Sequence, residues 1–159
     1  MAKENFDIET EYIKLRKKFK YLPNFDLVNK DFEISLIDKN SFIIRSIRRK
    51  INDKVIFFCR IIENILYPSL QSAISGYEAG FFNEQEKTKL VLLHKKLMII
   101  ERNSLLLDVE CGSDEEDVKY IIEVNKQWQD FKKELLVIIE KMKDVWKEET
   151  KDEEEGYFG

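Results

Sequence analysis

The sequence predicts an all-α fold, an elongated antiparallel helical bundle of four to six helices, three of them long. Apolar residues recur at spacings of three and four over long stretches, the period of a helix that buries one face. Only five glycines and two prolines occur among 159 residues, too few for the turns of a β-sandwich or for a glycine-rich phosphate loop. Asn83 with Glu86 and Ser113 with Glu116 form the pattern in which a short polar side chain and a carboxylate satisfy the first free amides of a helix.

The elements follow in order. Phe6, Ile8, Tyr12, Leu15 and Phe19 fit a first helix that stops around Pro23. Across 24–37 the alternation of Phe32, Ile34 and Leu36 reads as a short strand. A lone strand has no partner for its hydrogen bonds, so a helix or an extended wrapping segment is expected there. After the polar Asp38, Lys39 and Asn40, Ser41 caps a long helix whose stripe is Ile44, Ile47, Ile51, Val55, Phe58, Ile62 and Ile65. Pro68 ends it near Tyr67, because proline has no amide hydrogen and its ring crowds the preceding turn. A short helix over 69–79 then reaches Gly80.

Asn83 opens the second long helix, with Leu90, Leu93, Leu97, Ile100 and Leu105 on its inner side and an end near Cys111 and Gly112. Ser113 opens the third, and Asp114, Glu115 and Asp117 complement the helix dipole in its first turn. Its stripe runs through Ile121, Val124, Trp128, Phe131, Leu135, Ile138, Met142 and Val145 to about Glu148. Residues 1–148 are expected to form a single domain. Residues 149–159 read as an acidic, disordered tail.

Composition bounds the surroundings. No apolar run approaches the ~20 residues of a membrane span, and the N-terminus lacks a signal-like segment. Cys59 and Cys111 lie far apart in no metal or redox pattern, so a reducing, cytoplasmic setting without a membrane is expected. The net charge is −4. Residues 1–60 carry 14 basic and 9 acidic side chains, and the rest 13 and 22. Arg45, Arg48 and Arg49 are expected on the outer side of the long central helix, a surface for nucleic acid or an acidic partner. The net negative charge disfavours nucleic acid, and the aromatics able to stack on bases are expected in the core.

Chemistry has few places to reside. Positions 55–66 are apolar nearly all round, so Arg60 and Glu63 are expected either to form a structural ion pair or to snorkel their charged heads to the bundle rim. The alternative is a ligand or catalytic pocket lined by Arg60, Glu63, Tyr67, His94 and Glu101. His94 is the single histidine, and Val91 stands where a Glu-x-x-His metal motif needs its carboxylate. No metal and no cofactor are expected. A G-x-S-x-G nucleophile elbow is absent from the chain.

Leu92, Ile99 and Leu106 form a second apolar stripe opposite Leu90 and Leu97, to be covered either by this chain or by another. The expected function is therefore a non-catalytic protein-interaction or assembly module, acting by self-association or on a protein partner. The alternatives are a ligand-binding protein or enzyme with its pocket near Arg60, Glu63 and His94, and a nucleic-acid-binding accessory protein using Arg45, Arg48 and Arg49.

Overall fold

Five of the six α-helices start where a short polar side chain accepts from free amides. A computed structural model describes residues 7–39 and 41–156, with only the backbone of 149 and 151–156. Phe6, Asn40 and 157–159, which the sequence assigns to the first stripe, a polar connection and the acidic tail, lie outside the described residues. The elements are α1 (Ile8–Lys18), α2 (Phe25–Phe32), a 3-10 turn (Ile34–Leu36), α3 (Ile43–Leu66), α4 (Ala73–Gly80), α5 (Glu84–Glu110) and α6 (Asp114–Gly156). Among the described residues there is no strand. The fold is the expected all-α one, with α3, α5 and α6 packed together.

Asp7 accepts from the amides of Glu9 and Thr10, and Asn24 from that of Asp26. Both capping boxes form. The Asn83 backbone amide donates to the Glu86 carboxylate at 2.8 Å, and the Glu86 backbone amide donates to the Asn83 side-chain Oδ1 at 2.9 Å. The Ser113 amide donates to Glu116 at 2.8 Å. Between α5 and α6, Cys111 adopts a left-handed φ of 52° and the Gly112 amide donates to the Leu107 carbonyl at 3.1 Å, closing the helix as a Schellman turn. A Cβ at Gly112 would stand 2.9 Å from the Glu116 carboxylate and 3.1 Å from the Leu107 side chain, so a larger residue there would push the Glu116 carboxylate from its capping position.

The stretch 24–37 is helical. Phe32 and Ile34 are both buried, but Leu36 is 68% exposed, so the alternation does not continue as a strand face. Glu33 turns left-handed at φ 54°, and the Asn29 side chain accepts the Ser35 amide at 2.8 Å, which tucks the 3-10 turn behind α2. Three boundaries shift. α3 starts at Ile43 rather than Ser41. α4 starts at Ala73 because Ser72, not Ser69, is its cap, accepting the Ser75 amide. α6 continues past Glu148 to Gly156, since Glu and Lys favour helix and neither Gly nor Pro interrupts them before Gly156.

Packing divides the chain into two compact units, Met1–Phe57 with Leu97–Gln127, and Phe58–Lys96 with Trp128–Gly159. In the first, Tyr12 donates to the Pro23 carbonyl at 3.0 Å and meets Phe25 edge-on at 5.6 Å. Burial pushes the Tyr12 hydroxyl well above the ordinary phenol range. Ile44, Ile47, Ile51, Val55, Leu97, Ile121 and Val124 are buried from the three long helices. Arg48 meets Asp117 and Asn52 meets Tyr120, so α3 and α6 run the same way here, while α5 runs opposite to both.

The second unit buries Cys59, Ile62, Ile65, Phe82, Leu93, Trp128, Phe131 and Leu135. Tyr77 of α4 lies 5.0 Å from the Phe81 ring and 4.9 Å from that of Trp146, and the Trp146 indole donates to Glu78 at 2.8 Å. Lys141 of α6 donates to both oxygens of Glu86 at 2.6 and 2.7 Å, which joins it to the first turn of α5.

Candidate functional site

Arg48 follows Ile44 by four residues and precedes Ile51 by three, which places it on the buried side of α3. It is fully buried, and every guanidinium nitrogen has an acceptor. Nε donates to Asp117 at 2.5 Å and Nη2 to Asp108 at 2.5 Å. Nη1 donates to the Ser104 carbonyl at 3.0 Å and also to the Ser104 hydroxyl. A planar fork of five donors can meet three partners at once, which lets the charge stay buried.

The outward basic surface expected from Arg45, Arg48 and Arg49 is corrected at Arg48, whereas Arg49 is exposed as expected and Arg45 is half-buried. Arg48 points inward, Arg45 donates to the Gly112 carbonyl at 3.2 Å and lies 3.8 Å from Asp117, and Arg49 donates to Asp108 at 2.9 and 3.0 Å. All three guanidiniums face carboxylates of this chain. Asp117 serves the α6 dipole and is also the buried anchor of α3. Among the described residues no buried side-chain polar atom lacks a partner, so the hydrogen bonds of the network are satisfied within the chain.

Its carboxylates titrate in opposite senses. Burial pushes Asp117 above the usual aspartate range, against the hydrogen bond and charge of Arg48. Burial also works on Asp108, but the combined hydrogen bonds and charges of Arg48 and Arg49 hold it below that range. Burial opposes the Arg48 charge, and the two carboxylates more than reverse it, so Arg48 holds its proton more firmly than a free arginine. A lowered carboxyl contributes stability that is present above its unfolded pKa of about 3.9 and lost as pH falls through the folded value. Asp117 contributes with the opposite sign, favouring the fold at low pH. Asp108→Asn is therefore expected to make the fall of Tm with decreasing pH shallower below about pH 4. An acid limb as steep as that of the wild type would show that Asp108 does not set it.

The second expected cluster is brought together only in part. Glu63 and His94 meet at 3.1 Å in the second unit, with the Glu63 side chain 44% and that of His94 15% exposed. Arg60 is exposed and Glu63 faces His94, so the expected Arg60–Glu63 pair does not form. Arg60 lies two residues before Ile62 and five after Val55, off the buried stripe. Tyr67 is 68% exposed. Glu101 belongs to the first unit, paired with Arg102 at 3.2 Å. The outcome is one imidazole beside one carboxylate.

A cleft of about 250 Å³ in the second unit lies elsewhere, between Phe82, Leu90 and Leu93 on one side and Val137 and Ile138 on the other. Its polar edge holds the Glu86–Lys141 pair with Lys89 and Glu134, and none of the sequence candidates lines it. No group of three or more His, Cys, Asp or Glu is placed to hold a metal among the described residues. None of their helices is long and apolar enough to cross a membrane.

The second stripe of α5 is open. Leu92 is 56%, Ile99 62% and Leu106 56% exposed, with Val109 at 82%. Off the α6 stripe, Leu136 and Val137 are 52% and 67% exposed. In the first unit a groove of about 460 Å³ runs between α5 and α6, floored by Ile100, Tyr120 and Val124, with Leu106 and Leu107 on its lip and Glu110, Glu116, Lys119 and Glu123 along it.

Sequence reasoning missed Ser104 and Asp108. Ser104 was recognisable, lying seven residues after Leu97 and four after Ile100 in the buried register. These features define a helical-bundle protein with a closed charged core and open apolar faces. No protein-family model, curated protein or solved structure matches the chain.

Proposed function

We propose that the protein is a non-catalytic assembly module that holds other protein chains through the open apolar face of α5. What supports this reading is the exposure of Ile99, Leu106 and Val109 in the first unit, on a helix whose opposite side already buries Leu97 and Ile100. A helix that is apolar on two sides belongs in an interior, and here one side has no cover from the described residues of its own chain. Covering an aliphatic side chain contributes roughly 1.5–3 kcal/mol, so a few such residues are a driving force for association.

Light scattering on a sizing column tests it. The wild-type chain is expected to elute above its 19.1 kDa monomer mass with increasing concentration. Ile99→Glu combined with Leu106→Glu should return it to the monomer with unchanged helix content. A wild type that stays monomeric at every concentration, or an assembly indifferent to both substitutions, argues against this reading.

A further inference from the structure

We infer that the groove between α5 and α6 receives the basic face of α1 from a second copy of this chain, a head-to-tail contact. This rests on the assembly reading above and names its partner. The groove has an apolar floor, and three carboxylates, those of Glu110, Glu116 and Glu123, against one cation, Lys119. α1 and the turn after it carry the complement. Ile13 and Tyr21 are 46% and 86% exposed and are flanked by the exposed Lys17 and Lys20. Ile13 and Lys17 share one face of α1, and Tyr21 follows in the turn beyond its last residue Lys18, so α1 and that turn offer two exposed apolar side chains, a short ridge, with cations beside them. Apolar contact with opposite charges at the rim fixes both affinity and register.

The groove's lining residues extend from Ile100 to Glu110 on α5 and from Glu116 to Val124 on α6. At 1.5 Å per residue that is about 15 Å and 12 Å, close to the length of the eleven-residue α1. The same chain's α1 is not the occupant. Lys18 lies 3.9 Å from Asp114, which sets α1 beside the first residue of α6. Glu116 leaves that helix about 200° around from Asp114 at 100° per residue. Ile13 and Tyr21 stay exposed in their own chain and neither lines the groove, and a contact between two different patches propagates into a ring or a chain rather than a closed pair.

The test uses two full-length variants and their mixture. Glu110→Lys with Glu123→Lys disables the groove, and Lys17→Glu with Lys20→Glu disables the ridge; all four positions are exposed. Each variant alone is expected to lose association by at least about tenfold in apparent Kd, since like charges then meet at the rim. In the equimolar mixture each unaltered ridge meets an unaltered groove and each reversed ridge meets a reversed groove with the charges exchanged, so association above the monomer mass is expected to return. A mixture that stays monomeric overturns the inference, as does association unchanged in either variant. Should association survive both charge variants but disappear in the Ile99 and Leu106 double variant, the assembly reading stands and the α1 contact fails. A wild type that never associates fails both.

Discussion

Replacing Arg48 with methionine is expected to lower the free energy of unfolding by roughly 3–5 kcal/mol, the loss that follows when one member of a buried pair is removed. The cause is what remains. Asp117 is 1% exposed and would keep only Arg45, 3.8 Å away, as a nearby cation, and the Ser104 carbonyl would lose its buried donor. Urea denaturation followed by circular dichroism measures the loss. Arg48→Met with Asp117→Leu should recover most of it, because an apolar replacement of both partners removes the stranded charge as well as the attraction. A loss under about 1 kcal/mol for the single variant would mean that water reaches Asp117 once the guanidinium is gone.

Trp128→Ala should be comparably severe, roughly 3–5 kcal/mol, for a different physical reason. The indole is 3% exposed and its ring centre lies 6.1 Å from that of Phe58, so truncation opens a cavity in the core of the second unit. Trp128→Phe keeps an aromatic ring against Phe58 and should lose much less. Trp146 remains in both variants as a fluorescence probe of the contact between α4 and the end of α6. A small loss for alanine would show that the neighbouring side chains collapse into the space.

The long helices were legible because their information is periodic and local. Ile44 to Ile65 and Ile121 to Val145 repeat at helical spacing, and the capping boxes at Asn83 and Ser113 state where two helices begin. Register also carried more than residue type suggested. Arg48 sits within the Ile44, Ile47, Ile51 stripe, but its charge invites assignment to the surface; Arg60 sits off the stripe, but its apolar neighbours invite assignment to the core. In both cases helical angle decides burial, and partners far away in sequence decide whether burial is tolerated. Asp108 and Asp117 are 60 and 69 residues from Arg48, a pairing that no local pattern encodes. The turn at Glu33 was hidden for a related reason, since two inward-facing residues two positions apart fit either a strand or a helix that ends in a left-handed residue. The open stripe at Ile99 and Leu106 was legible as apolar, but its lack of cover is a property of the packed chain.

The three-residue turn Cys111, Gly112 and Ser113 also determines the order of events as the first unit folds. α5 and α6 are joined by so short a connection that their mutual contacts require little loop closure, whereas Arg48 must bring α3 across 56 to 69 residues to reach Ser104, Asp108 and Asp117. The hairpin of α5 and α6 is thus the natural nucleus, and docking of α3 belongs to the downhill side of the barrier. Most of the Arg48→Met loss should then appear as faster unfolding, on the order of a hundredfold or more, with the refolding rate nearly unchanged. A buried charge placed this late acts as a latch, setting how long the native bundle persists rather than how quickly it is reached.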